Sequence, residues 1–149
     1  MEKVNSKSSK KTIKVLTFGT FDIFHKGHEH FLTQSKKYGT HLYVIIARDQ
    51  TVKKVKGHMP LNNELKRLKK ISSLHYVHKA LLGNKGDKHR IIEKIMPDII
   101  CLGYDQVSFT TNLRINLGLM NLDPKIIKFK SGYKPHKYKS SKMRLRNEN

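Results

Sequence analysis

The chain has 149 residues, a length that suits one domain built around one core. Its 31 Lys+Arg against 11 Asp+Glu give a formal net charge of +20, which points to anionic partners: nucleic acid, an acidic membrane surface or phosphorylated small molecules. The single cysteine, Cys101, excludes an intramolecular disulfide and weighs against a cysteine-based zinc site, while the absence of any apolar run near the roughly 20 residues of a membrane span, or of a secretory signal, sets the expectation of a cytoplasmic protein with no membrane partner.

Residues 1–12 read as a flexible basic lead-in, and residues 13–149 as the folded domain with a basic C-terminal segment. The β-branched run at 13–18 predicts a strand that Gly19 ends. Residues 27–38 predict a helix with Phe31 and Leu32 on its apolar side and Gly39 as its stop. The continuous apolar run at 42–47 predicts a strand covered on both faces. Residues 49–61 are rich in lysine, end near Pro60 and read as a loop. Asn62 or Asn63 then caps a helix in which Leu65, Leu68 and Ile71 recur at helical spacing. Further strands are expected at 77–82, 99–102 and 126–129, with helices at 88–95 and 109–120 and a last short one starting near Ser140 or Ser141. Cys101 lies in an apolar run and reads as a small buried hydrophobe.

This alternation predicts an α/β fold, a five-stranded parallel sheet wound on both faces in one domain. Ligands of such sheets bind beyond the C-terminal ends of the strands. The segments there are residues 19–28, 49–57 and 103–106, which are polar, glycine-bearing or basic.

Chemistry concentrates in Gly19-Thr20-Phe21-Asp22 followed by His25-Lys26-Gly27-His28. Glycine at a strand end lets backbone approach a ligand, and free amides with a helix N-terminus form an anion site. His25 and His28, three apart, share a face of a first helical turn, with Gly27 between them clearing space. Two imidazoles there can donate to charge that builds up in phosphoryl or nucleotidyl transfer. The same spacing also suits zinc, with His30 as a further ligand, or ordinary surface positions.

Three other segments can hold phosphates or sugar. Lys53, Lys54 and Lys56 are flexible point charges for phosphate or a solvated charge run. Asp105, in Gly103-Tyr104-Asp105-Gln106, can accept from ribose hydroxyls or a base amine, or cap the following helix. Ser140, Ser141 and Lys142 can cradle phosphates at a helix start or belong to a basic tail.

The Gly-Thr-Phe-Asp and His-Lys-Gly-His pair resembles the signature of the cytidylyltransferase-like nucleotidyltransferases, over about residues 14–144. The resemblance implies a Rossmann-like domain in which His25 and His28 stabilise the α-phosphate during in-line attack. It also implies that lysines such as Lys54 and Lys56 bind the phosphates of nucleotide and acceptor, that Arg67 contacts nucleotide phosphates, and that Ser140 and Ser141 close over the triphosphate. Arg67 equally suits a solvated helix position beside Lys66, Lys69 and Lys70. Lys139 stands where the family's C-terminal motif has its first hydroxyl residue. Magnesium (Mg2+) is expected to arrive with the nucleoside triphosphate rather than on protein side chains, and a homodimer is implied.

The Gly-Tyr-Asp-Gln stretch is closest to archaeal-type FAD synthases. ATP and FMN are therefore the expected substrates, with CTP and a polyol phosphate such as glycerol-3-phosphate as the alternative. A nucleic-acid-binding module is a rival of another class, motivated by the charge. Most of that charge lies in the tails and no nucleic-acid motif is present, so nucleic acid is not the expected partner.

Overall fold

The computed structural model describes residues 11–85, 89–104 and 106–130, of which 107–111 are described by backbone alone. The elements are β1 (Lys14–Gly19), α1 (Lys26–Lys36), β2 (His41–Ile46), α2 (Asp49–Lys56), α3 (Glu64–Ser72), β3 (Lys79–Leu82), α4 (Arg90–Ile95), β4 (Ile99–Leu102), α5 (Val107–Leu119) and β5 (Lys125–Lys128). The strands form one parallel sheet in the order β3-β2-β1-β4-β5, the Rossmann-like α/β arrangement expected from the alternation.

The apolar run of β2 shows why both faces are covered. Leu42, Val44 and Ile46 point to one side, where they join Val15 of β1 and Cys101 of β4 beneath Leu32 of α1 and Ile71 of α3. Tyr43 and Ile45 point to the other, with Leu16, Ile100 and Leu102, beneath Ile91, Ile92 and Ile95 of α4 and Leu113 and Leu117 of α5. The chain winds outward from β1 to β3, then returns to start its second half at β4 on the other side of β1. The strand order therefore reverses between β1 and β4, and a crevice at such a switch point is where sheets of this kind bind ligands.

The lysine-rich stretch expected as a loop is instead helical over Asp49–Lys56. Asp49 in its first turn and Lys53, Lys54 and Lys56 in its last complement the helix dipole, Val52 supplies one buried anchor, and Gly57 ends it at φ +84. In α3, Asn63 is the cap, its Oδ1 accepting from the amide of Lys66 at 2.8 Å. The buried face of α3 is formed by Arg67 and Ile71, and Leu65 stands 66% exposed. The expected helix near Ser140 and Ser141 lies outside the described residues.

Candidate active site

β1 ends at Gly19, where the ring of Phe21 folds back over the backbone. A Cβ at residue 19 would lie 2.5 Å from Cε2 of Phe21. Phe21 has φ +52, a left-handed conformation that costs a non-glycine residue about 1 kcal/mol or more. Burial of its ring, 5% exposed, holds it there. Such local strain concentrates at functional sites.

Asp22 fixes the next turn. It is 4% exposed and accepts from the amides of Leu61 (2.9 Å) and Asn62 (2.8 Å), while the Asn62 side-chain amide donates to the Asp22 carbonyl. Arg67 completes the frame. Its Nη1 donates to the carbonyl of Thr20 (2.9 Å), its Nε to the carbonyl of Asn62 (2.9 Å) and its Nη2 to Asp49 Oδ1 (2.7 Å). One guanidinium thus ties together the loop after β1, the lead-in to α3 and the start of α2.

On this frame stand the two histidines. His25 is the extended N-cap of α1, and its Nδ1 accepts from the amides of Gly27 (3.0 Å) and His28 (3.4 Å). An accepting Nδ1 leaves the imidazole proton on Nε2, so His25 presents a donor there. His28, in the first turn of α1, stacks on His25 with centroids 3.8 Å apart and planes 19° apart. Burial lowers the pKa of His25 from its ordinary 6.5. Burial, and then the charges of His25 and Lys56, bring His28 down to about 3. Both shifts favour the uncharged rings, and an uncharged imidazole keeps one N–H that can donate to an anion at the helix N-terminus.

Across the switch point, the side chain of Gln106 spans the two strand ends. Its Oε1 accepts from the amide of Gly103 (2.7 Å) and its Nε2 donates to the carbonyl of Phe18 (3.1 Å). The structure thus gathers Gly19, Thr20, Phe21, Asp22, His25, Gly27, His28 and Gly103 at the C-terminal ends of β1 and β4. Lys56 comes near enough to act electrostatically on His28, and Lys53 and Lys54 are exposed on the same helix. Arg67 lies within the frame rather than on its surface, at 1% exposure. Asp105, Ser140, Ser141 and Lys142 lie outside the described residues. Among the described residues, no group of three or more His, Cys, Asp or Glu side chains is placed to hold a metal ion, and no helix is long and apolar enough to cross a membrane.

Sequence reasoning placed Asp49 and Gln106 in segments on the ligand side without giving either a role, and read Asn62 only as a possible helix cap. Asn62 carried a signal: with Asn63 as cap, the adjacent amide was available for another partner.

The Cytidylyltransferase-like family model matches residues 16–146. The FAD synthase of Thermoplasma acidophilum is 40% identical over 116 residues, covering 78% of this chain and 81% of that protein. The FAD synthase of Thermococcus sibiricus is 37% identical over 137 residues, 91% of this chain and 93% of that protein. A crystal structure described as a lipopolysaccharide core biosynthesis protein from Thermoplasma volcanium superposes with a TM-score of 0.76 at 40% identity, over 83% of this chain and 99% of that one. Pantoate-β-alanine ligase from Francisella tularensis, at 11% identity and a TM-score of 0.60 over 94% of this chain and 70% of that one, shares the fold. With stacked histidines at the β1/β4 switch point and relatives matched over most of its length, the chain belongs to the cytidylyltransferase-like family and is a nucleotidyltransferase.

Proposed function

We propose that the chain transfers AMP from ATP to FMN, releasing pyrophosphate and forming FAD. The observation that carries this reading is the identity of 37–40% to FAD synthases over at least 78% of the chain. The geometry supports the chemistry. A phosphate oxygen of FMN attacks the α-phosphorus in line, the new P–O bond forms, and the bond to the bridging oxygen breaks as pyrophosphate leaves. The attacking oxygen is already anionic, so no general base is needed, and none of the described groups is poised as one. His25, through Nε2–H, and His28 donate to the α-phosphate oxygens as charge grows on them. Lys56 offsets charge on the same phosphates, with Lys53 and Lys54 further along α2. The tail residues Ser140, Ser141 and Lys142 are proposed to hold the β- and γ-phosphates, and Asp105 the ribose or base.

Nucleotidyltransferases of this kind use a divalent metal with the triphosphate, here taken to be Mg2+. Hard cations take oxygen ligands; the Asp22 carboxylate beyond the end of β1 is turned to the amides of Leu61 and Asn62, so the phosphate oxygens would be the ligands that hold the ion.

The flavin ring is assigned to a groove of about 660 Å³ at the start of α2 and α3, where exposed Met59 and Leu65 stand beside Gln50, Asn63 and Lys85. Arg48, Asp49, Thr51 and Glu64 also line the groove, so Met59 and Leu65 are the apolar faces it offers a planar ring and the polar groups around them would meet the ring's heteroatoms. From this groove α2 runs to Lys56 beside His28, a rise of roughly 10 Å, which a ribityl phosphate can span.

Pyrophosphate release tests the reading, with ATP or CTP paired with FMN or glycerol-3-phosphate. Release with ATP and FMN is expected. Release only with CTP and glycerol-3-phosphate would replace the substrates, and silence with every pair would sink the assignment. Salt-sensitive nucleic-acid binding without release would favour the nucleic-acid reading.

A further inference from the structure

His28 is enclosed by aromatic rings. His25 stacks on it at 3.8 Å. Phe21 meets it edge-on, 5.1 Å between centroids at 76°. Phe24 lies 5.7 Å away at 34°, and the Lys70 ammonium of α3 sits 5.3 Å from the Phe24 ring centroid. We propose that Phe21 and Phe24, the latter held by Lys70, form a clamp that fixes both the orientation and the neutral state of the imidazole donating to the α-phosphate. This rests on the nucleotidyl-transfer reading above.

Apolar rings exclude water from His28, and exclusion of water disfavours imidazolium. Nearby positive charge pushes the same way: Lys56 from α2 disfavours a second cation, as would any proton on the stacked His25 ring, while the Lys70 ammonium of α3 lies over Phe24. Lys26 is exposed at the first position of α1. Asp22, the only acid in residues 19–28, turns its carboxylate to the amides of Leu61 and Asn62. Neutrality matters because a cationic His28 would attract the phosphates of ground and transition states alike, which lowers KM without raising kcat. A neutral donor locked in place acts most as charge develops. The left-handed Phe21 and the missing Cβ at Gly19 are then backbone features that let one jaw of the clamp close. Phe21 and Phe24 act through His28, as positioning residues.

The test follows the His28 ring proton by NMR across a pH titration of the full chain without substrates, alongside kcat and KM. Wild-type His28 is expected to stay silent down to about pH 5, below the ordinary imidazole range. In Phe24→Ala its midpoint should rise by more than about one unit as water enters. Turnover should fall about tenfold or more through misplacement of the donor, with KM for ATP nearly unchanged. Phe24→Tyr, which keeps the ring at a half-buried position, should restore both. Phe24→Leu, which keeps apolar bulk, guards against a folding defect and should move the midpoint less, in the same direction. An unmoved midpoint in both Ala and Leu variants, or a loss confined to KM, overturns the clamp. A wild-type chain with no transferase activity but a silent His28 overturns the reaction assigned above and leaves the clamp's effect on the ring standing.

Discussion

Arg67 and His28 are both enclosed, and each meets the cost of burying a cation in its own way. Guanidinium cannot shed its proton, so Arg67 faces Asp49 Oδ1 at 2.7 Å and two carbonyls. Imidazole can, and His28 stays neutral with its pKa brought down to about 3. Their substitutions should therefore fail differently. His28→Ala is expected to fold normally and to lose about a hundredfold in turnover, the scale of one transition-state donor. Arg67→Met leaves Asp49 and two carbonyls without their donor, and should cost about 2 kcal/mol or more in unfolding free energy. Urea denaturation and steady-state kinetics on the two variants separate these roles. A stable Arg67→Met with turnover like wild type would return Arg67 to the solvent-facing position its lysine neighbours suggest.

At the level of elements, the central strands were legible because burial on both faces leaves a mark that needs no partner to read: residues 42–46 are apolar without interruption. The loop after β1 was legible through its glycine and histidine spacing. Helix α2 was not, since one buried residue, Val52, anchors it and its lysines read as a loop. Its dipole-matched ends, acidic first and basic last, were the available sign. The inward turn of Arg67 was equally hidden. Lys66, Arg67, Lys69 and Lys70 look alike along α3, and the choice among them depends on Thr20 and Asp49, which lie far away in sequence. Asn62 and Gln106 likewise find their partners only once the sheet has formed. The placement of α2 carries its own prediction. Gly57 ends it at φ +84 with nothing within 4 Å of a Cβ placed there, so Gly57→Ala meets conformational strain alone, about 1 kcal/mol. Fraying the last turn moves Lys56 away from His28. A modest drop in melting temperature should thus come with a higher KM for ATP. An unchanged KM would detach Lys56 from the phosphate site.

The whole molecule has a pH window set by its enclosed groups. His28, at an ordinary 6.5 when unfolded and about 3 when folded, takes up a proton on unfolding at any pH between these values. The unfolded chain then binds more protons than the native one, so stability falls as the pH drops below 6.5. His25, lowered by burial, adds to the same limb. On the alkaline side the sign reverses. Burial pushes the Cys101 thiol from 9.0 up to about 11 and raises Tyr76 above its ordinary 10.0. Between 9.0 and 11 the unfolded thiol ionises while the native one stays neutral, so the unfolded chain binds fewer protons and stability falls as the pH rises. Urea midpoints measured against pH should show a plateau from about pH 7 to 8.5 with a decline on either side. His28→Gln removes the larger acid-side group and should make that limb shallower without touching the alkaline one. Cys101→Ala should lower the plateau, because it removes a packed sulfur from the core, and flatten the alkaline limb. If the acid limb keeps its slope in His28→Gln, the histidine stack is not what makes the fold sensitive to acid, and His28 is more open to water than its rings imply.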